Sequence, residues 1–366
     1  TRPAAMLLRD DLFAAPVTPL PAGDALAASD RMKAFADTAL RTNLKARDMR
    51  WALIDAMYRP DMLQLQYDAS TTRSAAEAFD TRSGNCLSLV IMTAALARHL
   101  GLEVTFQSVL GEDSYSRSGE MLFASGHVNL ALGRPRTSSI VSLETDRALV
   151  VDFMPQAQIA KQRVMPLREA TVRAMYMNNR AAETLSTGET AQAYWWAREA
   201  VLLDPAFLPG INTLAVIYQR SGHLRDSEAA LRHVLAADPR QVSALGNLLR
   251  VLEIDGRIEE ARAVASRLGD LQPHRPFEMF DRGRAALDAG QVRTARDLFA
   301  AELRHQPFQH EVHYWMAVAE HHLGDDKGAV RHLAMALENS TTRNAHALYA
   351  GKLDRLRHEQ QRTRSP

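Results

Sequence analysis

The chain has 366 residues, of which 46% are hydrophobic and 24% charged, and it carries a net charge of +1. That balance describes an ordinary folded polypeptide with room for two domains, and it offers no chain-wide field for nucleic acid or an anionic membrane. No apolar run approaches the roughly 20 residues of a membrane-spanning helix, and the single cysteine, Cys86, excludes an internal disulfide and any cysteine-based zinc site.

The sequence begins at Thr1 and its first residues lack the apolar core of a signal peptide. The expectation is a processed product from which an export signal or lipid anchor has been removed, which favours a bacterial cell envelope or periplasm over the cytoplasm. Residues 1–28 hold Pro3, Pro16, Pro19 and Pro21, a density that predicts an irregular leader without a core of its own. From Ser29 the pattern turns helical. Met32, Phe35, Ala36, Ala39 and Leu40, then Leu44, Met49, Leu53 and Met57, recur at three- and four-residue steps, with Ser29 or Asp30 as the cap. Pro60 closes this region, and Leu63 to Tyr67 alternate as a short strand.

Arg82-Ser83-Gly84-Asn85-Cys86 leads into a run from Leu87 to Leu100 that is apolar all round and rich in helix formers. Cys86 is therefore expected at the start of a buried helix. There the unpaired amides and the helix dipole favour the thiolate, the nucleophilic form. A lone cysteine is more often an inert core residue, so the placement after Gly84-Asn85 is what raises it above that reading. Gly101 ends the helix and Glu103 to Val109 alternate as a strand. Tyr115-Ser116-Arg117-Ser118-Gly119 reads as a loop suited to substrate contacts. Phe123 to Leu132 reads as a strand bearing His127 near its start, followed by a polar insertion, Gly133 to Ser139. Ala148 to Pro155 reads as a strand ending in Asp152.

Cysteine on a helix, then histidine and aspartate on two strands, resembles the core of the transglutaminase-like superfamily, in particular the bacterial transglutaminase-like cysteine peptidases. The resemblance runs from about residue 60 to 165. It implies an α+β, transglutaminase/papain-like N-terminal domain with Cys86 as nucleophile, His127 as base and Asp152 as the group that orients the imidazole. The oxyanion hole would combine the Cys86 amide with one further donor, for which Gln66 is the candidate and Tyr67 its rival. Two departures stand out: Ser88 occupies a place where many family members carry an acid, and Asn129 stands near His127 where a tryptophan is common.

The second half is periodic. Gly188, Gly222, Gly256, Gly290 and Gly324 are spaced by 34 residues, and Pro205, Pro239, Pro273 and Pro307 keep the same step. The fifth residue after each glycine is small: Ala193, Ser227, Ala261, Ala295 and Ala329. Glycine permits a tight turn between two helices, proline ends the second, and the small residue lets the pair approach. The pattern is similar to tetratricopeptide (TPR) repeats. It predicts an all-α TPR solenoid of five hairpins over 174–343, at 174–207, 208–241, 242–275, 276–309 and 310–343, then a capping helix and tail over 344–366. The transglutaminase-like domain is then assigned to 29–172 and the leader to 1–28. Trp195 and Trp196 are expected to pack against the N-terminal domain. The histidines from His305 to His332 are read as solvated or packing residues, with no metal implied.

The first helix of each hairpin lines a concave face in this architecture. Asn178, Asn212, Arg250, Arg284 and Tyr314 are the candidates there for contacting a protein or peptide ligand, asparagine through the peptide backbone and arginine through carboxylates. No cofactor is implied. Two functions follow: a cysteine-dependent hydrolase or acyl transferase acting on a protein or peptide amide, or a non-catalytic protein-interaction scaffold with a degenerate transglutaminase-like core.

Overall fold

The computed structural model describes residues 3–16, 20, 24–42, 48–118, 121–135, 148–153, 163–272 and 274–362. It divides into two compact units: residues 1–66, 71–153 and 161–273, and residues 67–70, 154–160 and 274–366.

In the first unit, helices α1 (Asp30–Thr42), α2 (Met49–Tyr58) and α3 (Ala75–Thr81) precede α4 (Cys86–His99). Eleven consecutive residues of α4, Leu87 to Ala97, are buried, as the all-round apolar sequence requires. Around them a four-stranded antiparallel sheet runs in the order β5 (Leu149–Val151), β4 (Met121–Pro135), β3 (Leu102–Ser118), β6 (Arg163–Leu167). Helix α4 packs on β3 and β4. The N-terminal part is thus a mixed helical and stranded region, with short strands β1 (Gln66–Tyr67) and β2 (Ser83–Gly84) leading into α4. Gly84 is required there, because a Cβ would lie 2.6 Å from the Cβ of Ser88.

The expected loop at Tyr115 to Gly119 is instead strand as far as Ser118, paired Ser114 with Ser125 and Ser118 with Met121. Its polar residues hide the alternation, and a register shift between Val109 and Ser114 lets β3 continue. Gly119 lies outside the described residues, as does most of the expected polar insertion, Arg136 to Ser139; Gly133 to Pro135 finish β4.

The repeats follow as α5 (Glu169–Ser186), α6 (Thr190–Leu203), α7 (Leu208–Arg220), α8 (Leu224–Ala237), α9 (Val242–Ile254) and α10 (Ile258–Leu271). Helix α5 begins at Glu169 rather than at 174, since the glycine and proline register marks turns and ends but not an extended first helix. The second unit contains α11 (Glu278–Asp288), α12 (Val292–His305), α13 (His310–His322), α14 (Asp326–Glu338) and α15 (Arg343–Arg362). All five register glycines adopt positive φ, from +74° to +88°, at the turn inside each hairpin. Ala193, Ser227, Ala295 and Ala329 are wholly buried and Ala261 nearly so. In the second unit the Glu302 carboxylate accepts from the Phe277, Met279 and Phe280 amides at 2.9, 3.1 and 3.2 Å, satisfying the start of α11.

The two tryptophans do not share one partner. Trp196 packs in its own hairpin, edge-on to Tyr176 at 6.3 Å and under the Arg180 guanidinium at 5.5 Å. Trp195 reaches the leader, donating to the Ala14 carbonyl at 2.6 Å. Neighbouring helical residues point about 100° apart, so adjacent indoles cannot face the same neighbour.

Candidate functional site

Cys86 opens α4. Asn85 is its cap, with Oδ1 accepting from the Ser88 amide at 2.9 Å. The cysteine sulfur therefore stands at the first turn, beside amides that have no partner within the helix, and it is partly buried. His127 lies on β4 opposite Val109, and Asn129 two residues on points to the same side of the strand. The pairing of Leu130 with Val151 delivers Asp152, just past β5, beside them.

The three side chains meet. His127 Nε2 lies 2.8 Å from both Asp152 oxygens, and Asn129 Nδ2 donates to Asp152 Oδ2 at 3.0 Å. The His127 side chain is 17% exposed and that of Asp152 8%. Nε2 is thus committed to Asp152, and Cys86 acts on the same ring as a second hydrogen-bonding and charged neighbour. Burial by itself would push the His127 pKa down, but the Asp152 hydrogen bond, then the Cys86 hydrogen bond and the charges of both, lift it to about 9. The imidazolium is the favoured form at neutral pH, the partner a cysteine thiolate needs. Nearby, the Tyr58 hydroxyl is held up at about 12, by burial first and by the Asp152 charge.

Asn129, noted from the sequence as a departure, is thus the second group that holds Asp152; the signal was its spacing of two from His127 on a strand. Ser88 is wholly buried and structural, its hydroxyl accepting from the Arg73 amide and donating to Asn85 Oδ1, both at 2.8 Å. Asn85 Nδ2 in turn donates to Thr72 Oγ1 at 2.7 Å. Thr72 also contacts the first repeat helix: Asn179 Nδ2 donates to its hydroxyl at 3.3 Å, Arg180 to its carbonyl at 3.2 Å, and its amide donates to Glu183 at 2.7 Å. The cap of the cysteine helix is therefore tied to α5. Nothing in the sequence around Thr72 signals this role. Gln66 sits on β1, exposed, with its amide donating to the Arg82 carbonyl at 3.0 Å.

The groove candidates have individual surroundings. Asn178 Oδ1 is buried and accepts no hydrogen bond from the described residues. Asn212 Oδ1 accepts from Asn247 across neighbouring hairpins at 3.0 Å. Arg250 is exposed on α9. In the second unit the Arg284 guanidinium lies 3.4 Å from the Trp315 ring centroid, and Tyr314 stacks on Tyr349 at 5.2 Å. His313 and His332 approach to 2.9 Å through their Nδ1 atoms, with His332 Nε2 3.6 Å from Glu320. Among the described residues no group of three or more histidine, cysteine, aspartate or glutamate side chains is placed to hold a metal ion, and no described helix is long and apolar enough to cross a membrane.

A tetratricopeptide-repeat family model matches residues 212–276 and 280–344. Residues 212–344 are TPR repeats. Similar solved structures include one from a functional characterization of Pseudomonas aeruginosa PilF, at 22% identity over 52% of this chain and 94% of that one, with a TM-score of 0.29. Another is YrrB, described as a TPR protein with an unusual peptide-binding site, at 20% identity over 49% of this chain and 92% of that one, TM-score 0.27. A third is a thermophilic TPR protein of Thermus thermophilus, at 17% identity over 49% of this chain and 98% of that one, TM-score 0.29. No curated protein matches the chain.

Proposed function

We propose that the protein is a polypeptide-binding repeat scaffold whose N-terminal region, residues 29–172, is a transglutaminase-like domain carrying a thiol site. The scaffold has the broader support, since the family match falls on the repeats. TPR repeats serve protein interaction, and a protein or peptide is the ligand class. The first helices of the hairpins over 174–343 would contact it, through Asn178, Asn212 and Arg250 in the first unit and through Arg284 and Tyr314 in the second.

One observation favours chemistry as well: His127 is held by Asp152 at 2.8 Å through Nε2, and Cys86 is a hydrogen-bonding neighbour of the same imidazole. In this reading the Cys86 thiolate attacks a protein or peptide amide carbonyl to form a tetrahedral adduct. The Cys86 amide and Gln66 stabilise its oxyanion. The adduct collapses as the C–N bond breaks and His127 gives its proton to the departing amine, leaving a thioester. Water or a second amine then attacks the thioester, with His127 taking the proton, and the C–S bond breaks to release the acid or the new amide and return the Cys86 thiolate. Hydrolysis and acyl transfer share this path and differ in the acceptor.

The decisive experiment is labelling by a thiol-directed activity-based probe from pH 5 to 10, on wild type, Cys86→Ser and His127→Ala. The thiol reading expects labelling that is lost in Cys86→Ser and whose pH profile differs between wild type and His127→Ala. Matching profiles in wild type and His127→Ala would remove it and leave the scaffold alone.

A further inference from the structure

The leader does not lie loosely beside the repeats. Residues Ala4–Leu7 and Asp10–Leu12 form two short 3-10 turns, and the segment is held by side chains of α6, α7 and α8. Its backbone is read at three points. Tyr218 donates to the Leu7 carbonyl at 2.7 Å, the Arg9 amide donates to the Tyr194 hydroxyl at 2.9 Å, and Trp195 donates to the Ala14 carbonyl. Its side chains are read as well. Asp10 accepts from Tyr194 at 2.6 Å and from Arg198 at 3.0 and 3.1 Å, while Arg9 reaches Asp226 at 2.8 Å. Phe13 stacks on Tyr194 with centroids 4.2 Å apart and planes 8° from parallel.

The receiving groups stand on regular repeat helices: Tyr194, Trp195 and Arg198 share α6, Tyr218 is on α7 and Asp226 on α8. The segment contributes no strand or helix to any sheet or hairpin, and several of its own residues stay exposed, among them Met6 at 67%. Fixed polar groups satisfying an irregular backbone, with two charged pairs and one aromatic platform setting the sequence, is the division of labour of a peptide-recognition site.

We propose that this face of the first two repeats is a peptide-binding site, filled in cis by the chain's own Leu7–Ala14 segment, whose ligand is a short linear polypeptide segment carrying Arg-Asp-x-x-Phe. The arginine pairs with Asp226, the aspartate with Arg198 and Tyr194, and the phenylalanine covers Tyr194. A tethered segment acts at an effective concentration on the order of millimolar, so a segment of the same chemistry on another protein binds when the cis copy is weakened or outcompeted. This site lies apart from the Cys86 centre and does not depend on it.

The test uses the full chain and a fluorescent peptide of residues 3–14. Asp10→Ala with Phe13→Ala weakens the cis segment while leaving the receiving groups intact. The labelled peptide is expected to bind that variant at least tenfold more tightly than wild type, and Arg198→Ala added to the variant is expected to abolish the gain. Equal or absent binding in both proteins, with circular dichroism showing the variant folded, overturns the proposal. Amide hydrogen exchange on wild type provides a check that needs no variant. Excess unlabelled peptide at millimolar concentration should speed exchange at the Arg9 amide, and an unchanged rate also overturns it.

Discussion

Replacing Asp152 by asparagine separates the charge beside His127 from its shape. The volume is kept, and the side-chain carbonyl can still accept from His127 Nε2, but the negative charge is lost. Burial lowers the His127 pKa, and Asp152 is the leading influence against it, ahead of Cys86, with a net result of about 9 from an ordinary 6.5. That rise corresponds to about 3 kcal/mol in favour of the imidazolium, at roughly 1.4 kcal/mol per pKa unit. Without the carboxylate charge the Nε2 hydrogen bond becomes one to a neutral acceptor, and the His127 pKa is expected to fall. The amide also presents one acceptor oxygen to two donors, since Asn129 Nδ2 bonds the same group. The imidazole midpoint of His127 read by NMR should then be lower, and iodoacetamide labelling of Cys86 followed by mass spectrometry across pH 5–10 should change its pH profile. The sign of the stability effect is set by the raised histidine. Its contribution is fully present below pH 6.5 and is lost as the pH rises through about 9, and Asp152→Asn should flatten that loss. An unchanged labelling profile, with an unchanged imidazole titration by NMR, would refute the ion-pair account.

Thr72→Val removes the acceptor shared by Asn85 and Asn179 and should cost about 1–2 kcal/mol in denaturant melts; Thr72→Ser should recover most of it, and equal losses in both would point to packing rather than the hydrogen bond. Gly283→Ala sets helix propensity, worth about 1 kcal/mol in its favour, against a Cβ placed 2.6 Å from the Phe299 ring, an overpacking cost of about 1–3 kcal/mol. The variant should be destabilised, and a raised melting temperature would contradict that packing. Burial, with Asp325 adding, lifts Glu320 to about 7, so its contribution to stability is full below its unfolded value of about 4.5 and falls as the pH rises through 7. Between those limits wild type should lose up to about 3 kcal/mol relative to Glu320→Gln, and parallel stability curves for the two proteins would rule this out.

Local patterns carried much of the architecture. The glycine and proline registers located the hairpin turns and helix ends, because positive φ and a missing amide are properties of single residues. The small residues five places after each glycine marked the tight helix contacts for the same reason. Cys86 at a helix start, with His127 on a later strand and Asp152 just past another, was legible from capping and alternation. Where residues met across long separations, the sequence was silent. The loop expected at Tyr115 became strand only through pairing with β4, and adjacent Trp195 and Trp196 parted to different partners.

What the sequence determined by itself was therefore the repeat period, the start of a buried helix at Cys86 and the strand that carries His127, since each rests on interactions within a few residues. Tertiary structure alone decided which ring nitrogen of His127 meets Asp152, that Asn129 shares the carboxylate, that Thr72 ties the cysteine helix to the first repeat, and that Phe13 lies on Tyr194. Those contacts join residues brought together by packing, and no local preference encodes a partner that packing alone makes a neighbour.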